Sequence, residues 1–331
     1  MKNTQILLAN RPEGMVKESD FDIVEQEIPA LQHGQVLIKI HFISIDPAIR
    51  GWMNEGTTYI SGIPLGGVIR TFSAGQVIES KHPNFAIGQF VEGMLGATSF
   101  AISDGTGLKV LDISKGSIPQ HLGILGMPGM TAYFGLLERG KPQKGDTIFI
   151  SGAAGVVGST VGQIAKLKGC RVVGSAGGKV KCDYLRSIGF DEVIDYKNED
   201  LDLELRRKCP TGISIYFDNV GGDTLDTALL HLARGARVVI CGAMSQYNDM
   251  KKVCGPKNYM KLVTARAEMK GIIVFDFQNE YPKAVKDIST WLQEGKIQSK
   301  EHIIEGIQNF PQALIMLFEG KNFGKLLVGV H

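Results

Sequence analysis

Cysteine is missing from residues 1–169, and the five that follow (Cys170, Cys182, Cys209, Cys241 and Cys254) are odd in number and widely spaced. None forms a C-x2-C pair or has a histidine at metal-ligand spacing, so reduced, packed thiols are expected rather than a redox or zinc site. The seven histidines are equally scattered, with no H-x3-H pair. No metal is therefore expected. Charge of one sign is also lacking. Lys and Arg number 36 against 34 Asp and Glu, a net +2 with no dense basic run, which argues against a nucleic-acid partner. No run of about 20 apolar residues occurs, and the apolar stretch in MKNTQILLANRPEG is too short for a signal peptide, so the expectation is a cytoplasmic protein with no membrane partner. There is no internal repeat and no low-complexity linker.

What is present is enough chain, 331 residues, for two domains with a globular balance of 44% hydrophobic and 21% charged residues. From Gln5 to about Ser117 short apolar runs alternate with turn signals: QVLIKIHFISI (35–45), GGVIRTF (66–72), GQVIES (75–80) and GQFVEGM (88–94). This texture predicts a β-rich unit with little helix. After Ile118, β-branched runs recur at intervals of 20–30 residues: TIFIS (147–151), RVVGSA (171–176), EVIDY (192–196), ISIYFDN (213–219), ARVVICG (236–242) and KGIIVF (270–275). Helix-period segments lie between them. In one, Val157, Val161, Ile164 and Leu167 share a face before Gly169. Six strands alternating with helices predict an α/β, doubly wound parallel sheet. The tail holds a strand, a helix begun near Pro311 and a last strand, and pattern alone leaves its destination open.

The sharpest chemical signal is TIFISGAAGVVGSTVGQIAK (147–166), where a strand runs into Gly152-x-x-Gly155-x-x-Gly158 and then an amphipathic helix. Glycines let the backbone turn tightly and approach a pyrophosphate, and a helix N-terminus offers free N–H groups and a positive dipole end. The spacing differs from the usual G-x-G-x-x-G. Its place in the alternating series is what points to a dinucleotide. NADP(H) is preferred over NAD. The stretch VVGSAGGKVK (172–181) has no acid where an NAD site places one, and offers Ser175, Lys179 and Lys181 instead. Topology also sends Asn219, Cys241 to Tyr247 and Ile272 to Val274 to the carboxyl edge of the sheet, where ligands bind in such folds.

With these residues in view, SGAAGVVGSTVGQIAKLKGCRVVGSAGG, YFDNVGG, CGAMSQYN and EGKNFGK, in that order, resemble the zinc-free medium-chain dehydrogenase/reductases. The branch is similar to the leukotriene B4 12-hydroxydehydrogenase/prostaglandin reductase, alkenal double-bond reductase and curcumin reductase group. The resemblance implies a GroES-like β-rich catalytic domain from residues 1–120 and 300–331, a Rossmann NADP-binding domain over 121–299, and an active site in the cleft between them. It implies that Gly155, Val156, Val157 and Gly158 hold the pyrophosphate and Lys181 and Tyr196 the 2′-phosphate end. Asn219, Cys241, Gly242, Ala243, Met244, Ser245, Gln246, Tyr247, Ile272, Ile273, Val274 and Asn322 would line the rest of the cofactor path. It also implies a homodimer. Zinc-dependent relatives carry an early cysteine ligand and a four-cysteine lobe; here the early segment reads HFISIDPAIRGWM (41–53).

The implied activity is reduction of the activated C=C bond of a small α,β-unsaturated ketone or aldehyde by hydride transfer to the β-carbon. Without zinc, a hydrogen-bond donor must stabilise charge developing on the substrate oxygen. Tyr247, in the SxYN match, and Tyr59, in the loop NEGTTYISG (54–62), are the candidates. Tyr247 serves equally as a contact to the nicotinamide ribose or a packing residue, and Tyr59 as a plain surface tyrosine. Where some relatives carry Tyr or Asn, Thr264 stands here, five residues after Tyr259. The alternatives are an NADPH:quinone reductase and a non-catalytic NADPH-binding sensor.

Overall fold

The computed structural model describes residues 1–56, 60–249 and 253–331. By backbone proximity the chain divides into two compact units. One comprises Met1–Leu122, the short piece Tyr247–Asp249 and Glu301–His331. The other comprises Gly123–Gln246 and the described residues from there to Lys300 outside that piece.

The first unit opens with a hairpin-like pair, β1 (Lys2–Leu8) and β2 (Phe21–Glu27), followed by β3 (Val36–Ser44) and the short helix α1 (Ala48–Trp52). Then come β4 (Ser73–Ser80), β5 (Phe90–Gly93), β6 (Phe100–Ser103), β7 (Lys109–Val110) and α2 (Ile118–His121). β3 shows why a strand forms here: Val36, Ile38 and Ile40 alternate into the core while Lys39 stays exposed. GGVIRTF (66–72), expected to be a strand, makes only an isolated bridge from Val68 to Leu7. Its apolar residues fill the core, Ile69 being fully buried, without a ladder.

The second unit runs α3 (Met127–Phe134), β8 (Thr147–Ile150), α4 (Val156–Leu167), β9 (Arg171–Ala176), α5 (Lys179–Ser187), β10 (Glu192–Asp195), α6 (Leu201–Lys208), β11 (Ile213–Asp218), α7 (Gly222–Leu230), β12 (Leu232–Ile240), α8 (Lys261–Ala265), β13 (Glu268–Gly271) and α9 (Tyr281–Gln293). The sheet order is β10-β9-β8-β11-β12-β13, all parallel, which is the doubly wound order 3-2-1-4-5-6. Both faces are covered. Ile148, Ile150, Ile215 and Phe217 meet α3, α4 and α9 on one side; Phe149 and Tyr216 stack 5.1 Å apart on the other, against α6 and α7. Each such side chain contributes about 1.5–3 kcal/mol by leaving water.

Two expectations need correction. The last strand is Glu268–Gly271, not 270–275: Ile272 and Val274 are buried, but Ile272 keeps only one bond to β12 and Val274 begins a 3-10 turn. Leu167 is 39% exposed, because α4 is ending there and only Val161 and Ile164 of the expected stripe are fully buried. The acidic run at 198–204 spans the start of α6, with the Asp200 carboxylate accepting from the Leu203 N–H at 2.9 Å.

The tail supplies β14 (Glu301–Glu305), α10 (Phe310–Phe318) and β15 (Lys325–Gly329). It returns to the first unit, whose seven-stranded sheet runs β14-β15-β3-β4-β5-β7, with β6 also on β3. Among the described residues no helix is long and apolar enough to cross a membrane.

Candidate functional site

The strand order of the second unit reverses between β8 and β11, and at their carboxyl ends the glycine turn begins. Gly152 adopts φ +59°, a conformation that L side chains rarely take. Gly155 then serves as the N-cap of α4, whose first-turn N–H groups point out of the helix end. The two later glycines differ in kind. A Cβ on Gly158 would stand 2.7 Å from the Ala153 Cα and the Gly152 carbonyl oxygen, so this glycine lets α4 rest on the turn. A Cβ on Gly155 would meet only the Gly152 oxygen, at an ordinary 3.5 Å. The space over Gly155 is open, and a pyrophosphate at a helix N-terminus fits such an open backbone. Val156 and Val157 follow, half-buried, on the first turn.

Asp218, the last residue of β11, holds this corner together, and nothing in the sequence marked it. Its buried Oδ1 accepts from Ser151 Oγ (2.9 Å), Tyr216 Oη (2.6 Å), the Val220 N–H (3.0 Å) and the Gly221 N–H (2.9 Å). Burial, reinforced by the Asp218 charge, pushes the Tyr216 phenol well above its ordinary pKa, so it stays a donor. Asn219 is fixed to β8 twice: its N–H donates to Ser151 Oγ at 3.0 Å and its Nδ2 to the Ser151 carbonyl at 2.8 Å.

The segment after β12 is laced to the same turn. The Asp218 carbonyl accepts from the Cys241 (2.9 Å) and Gly242 (3.1 Å) N–H groups, Asn219 O from the Met244 N–H (3.2 Å), and Val220 O from the Ser245 N–H (3.1 Å) and Oγ (2.7 Å). Gln246 N–H closes a turn onto Ala243 O at 2.8 Å. The Cys241 thiol is pushed up to about 12 by burial and then by Asp218, which leaves it an inert neighbour rather than a nucleophile. Ile272 N–H bonds Ile240 O at 3.1 Å, with Ile272 and Val274 buried and Ile273 exposed.

Near the carboxyl end of β9, Ser175 is buried, and its carbonyl accepts from the Ala153 N–H at 3.0 Å. Lys179 is exposed and ion-paired with Asp183, an i,i+4 helix pair. Lys181 is half-buried; desolvation, and then the nearby charge of Lys197, hold its ammonium below the ordinary lysine range. Tyr196 is half-exposed, its N–H bonded to Ala176 O at 3.2 Å.

The second unit thus brings together Gly152 to Gly158, Ser175, Lys181, Tyr196, Asn219, Cys241 to Gln246 and Ile272 to Val274. Tyr247 and Asn322 belong to the first unit. Asn322 is buried there, its Nδ2 donating to Gly324 O at 3.3 Å, and Tyr247 is half-buried. Tyr59 lies outside the described residues. The ends of its loop are drawn together by Arg11, whose Nη1 donates to Met53 O (2.7 Å) and Ile63 O (2.6 Å). Thr264 does not join the site. It sits by Leu232 and Arg234, where β12 begins, lining a cavity of about 230 Å³ at the edge of the sheet opposite the glycine turn. Its hydroxyl returns to Lys261 O at 3.2 Å. Tyr259 is 56% exposed. Among the described residues, no group of three or more His, Cys, Asp or Glu is placed to hold a metal ion.

A Rossmann sheet with a glycine turn at its switch point, joined in one chain to a β-rich unit built from both termini, defines an oxidoreductase of the two-domain dehydrogenase type. The chain belongs to the medium-chain dehydrogenase/reductase family: residues 4–111 match the N-terminal domain of oxidoreductase, and residues 156–290 match the family described as zinc-binding dehydrogenase. It is 38% identical to the NADPH-dependent curcumin reductase of Escherichia coli, covering 99% of this chain and 97% of that protein. It is 40% identical to the NADP-dependent 2-alkenal reductase of Nicotiana tabacum, over 100% of this chain and 98% of that one. Among solved structures, that of CurA from Vibrio vulnificus in complex with NADPH superimposes with a TM-score of 0.94 at 40% identity, covering 99% of each chain.

Proposed function

We propose that this protein is an NADPH-dependent reductase of the activated C=C bond in α,β-unsaturated ketones and aldehydes, working without zinc. The observation that carries the reading is the end-to-end likeness, at about 40% identity, to proteins named for reducing curcumin and 2-alkenals. The open face of Gly155 at the head of α4 supports the cofactor assignment independently.

NADPH, when bound, supplies the hydride. The chain's own part begins with α4 and Gly155 at the pyrophosphate and Lys181 and Tyr196 at the adenosine end. Asn219 and the 241–246 segment, tied to Asp218, offer a rigid wall for the remainder, and rigidity here favours a single orientation of the reacting carbon. Residues 1–120 and 300–331 act as the catalytic domain. Tyr59 from that domain, or Tyr247 from the segment after β12, donates a hydrogen bond to the substrate oxygen as negative charge grows there, and water protonates the α-carbon.

A homodimer belongs to the same proposal. β13 is an edge strand, and Tyr259, Met260, Val263 and Ile273 around it are exposed large apolar residues of the kind that a second copy would cover. A cytoplasmic location is supported by the five free thiols.

The test follows NADPH absorbance with enones, 2-alkenals, quinones and saturated aldehydes, with NADH and EDTA as controls. EDTA-insensitive NADPH oxidation selective for enones and alkenals is expected. Turnover of quinones alone replaces the reading with a quinone reductase, and binding without turnover replaces it with a sensor. Tyr247→Phe is expected to lower kcat on enones about 10²-fold while NADPH affinity stays in place. An unchanged kcat removes Tyr247 from catalysis.

A further inference from the structure

The turn that follows β10 carries a second cation beside the lysine and tyrosine already placed at the adenosine end. Asp195 organises this turn. Its Oδ1 accepts from the backbone N–H groups of Gly178 (2.8 Å) and Lys197 (3.2 Å), and its Oδ2 from Asn198 Nδ2 (2.8 Å). Glu199 Oε2 in turn accepts the Asp195 N–H at 2.7 Å. These bonds fold residues 195–199 against Gly177 and Gly178, the link from β9 into α5.

The consequence is visible at Gly177. A Cβ built there would stand 2.9 Å from Lys197 Cε and 2.9 Å from Tyr196 Oη, so the ends of both side chains lie directly over this glycine. The lysine stem and the phenol already share the space over the turn. Lys181 stands on the first turn of α5, and the Lys197 charge adds to burial in lowering its pKa. Two like charges on separate elements repel, and an anion seated between them reverses the sign of that interaction. Lys179 plays no such part, since its ammonium is engaged by Asp183 on the exposed side of α5.

We propose that Lys197 is a cofactor-discriminating residue: with Lys181 and Tyr196 it clamps a phosphomonoester on the adenosine ribose, the group that distinguishes NADPH from NADH. The inference rests on the NADPH reading above and names a residue that enforces it. Two ammonium groups and a phenol suit such a group in charge and in donor number. The lysine reaches it from the β10 turn, beside Tyr196 and outside the strand–glycine–helix segment at the pyrophosphate, so the preference is adjustable without disturbing that end.

The test is equilibrium titration of the full-length protein with NADPH, NADH, 2′,5′-ADP and 5′-AMP, in wild type, Lys197→Gln and Lys197→Arg. Lys197→Gln is expected to weaken NADPH and 2′,5′-ADP about tenfold and to leave NADH and 5′-AMP within about twofold, with a shallower salt dependence of NADPH binding. Lys197→Arg is expected to keep most of the affinity. Melting temperature should not move, because Lys197 is exposed. If Lys197→Gln binds NADPH as wild type does, or loses NADH equally, Lys197 is no clamp, while a wild-type preference for NADPH leaves the functional reading standing. If wild type binds NADH and NADPH alike, the functional reading falls and the clamp with it.

Discussion

Asp218→Ala is expected to destabilise the Rossmann unit by about 3 kcal/mol or more and to weaken NADPH binding at least tenfold, from the cost of leaving buried donors unpaired. Four donors converge on one oxygen of this carboxylate: two hydroxyls, on Ser151 and Tyr216, and the backbone N–H groups of Val220 and Gly221. Each buried donor left without an acceptor costs roughly 1–3 kcal/mol, and the hydroxyls recover part of it by rotating. The two N–H groups have no such freedom, because they belong to a backbone turn already tied through Asn219 O and Val220 O to Met244 and Ser245. The loss therefore spreads to the 241–246 segment, whose own bonds end on Asp218 O, Asn219 O and Val220 O. Asp218→Asn keeps an acceptor oxygen and is expected to fall between alanine and wild type. Thermal melting together with NADPH titration checks both halves. A melting temperature within a degree of wild type in Asp218→Ala would show that the convergence on Oδ1 is incidental.

This residue also marks where reading the sequence stopped. Strand and helix alternation after Ile118 was legible because parallel strands buried on both faces read as β-branched runs, and because Gly152, Gly155 and Gly158 punctuate a strand–helix junction. Asp218 was not legible: in ISIYFDN one acid at the end of an apolar run carries no periodic signal, and its importance comes from β8, the neighbour in space. Lys197 is hidden in another way, since a lysine in the polar stretch DYKNED looks like any solvated side chain until the turn is folded against Gly177. The run KGIIVF misled for a third reason. Apolar content reports burial, and Ile272 and Val274 are indeed buried, yet the strand ends at Gly271 and Val274 reaches burial from a 3-10 turn instead of a ladder. Thr264 stands where some relatives carry Tyr or Asn, but it sits where β12 begins, at the edge of the sheet away from the glycine turn.

The longest-range feature is one that no local pattern holds. Lys325, on β15, donates through Nζ to Asp46 Oδ1 (2.6 Å), Ser44 Oγ (2.5 Å) and the Ile45 carbonyl (3.3 Å), so all three ammonium protons find acceptors about 280 residues away. Ser44 in turn donates to Asp46 Oδ2, and all three side chains are buried. The cluster pins the returning tail to the end of β3 just before α1. Lys325→Met is expected to cost about 3–5 kcal/mol, because it strands the Asp46 carboxylate without its partner in a dry interior. Burial outweighs the pull of Asp46 and lowers the Lys325 pKa, which means that the charged state is held at a net cost. A matched apolar pair should then recover much of the loss: Lys325→Met with Asp46→Leu is expected to be clearly more stable than Lys325→Met alone. Urea unfolding of the three proteins measures this, and a single variant within about 1 kcal/mol of wild type would sink the argument. Function separates the two units in the same experiment. NADPH affinity, most of whose proposed contacts lie in the Rossmann unit, is expected to change less than the KM for an enone in Lys325→Met under native conditions. The KM for an enone is expected to rise, because α1 and the loop closed by Arg11 hang from the strand end that Lys325 secures.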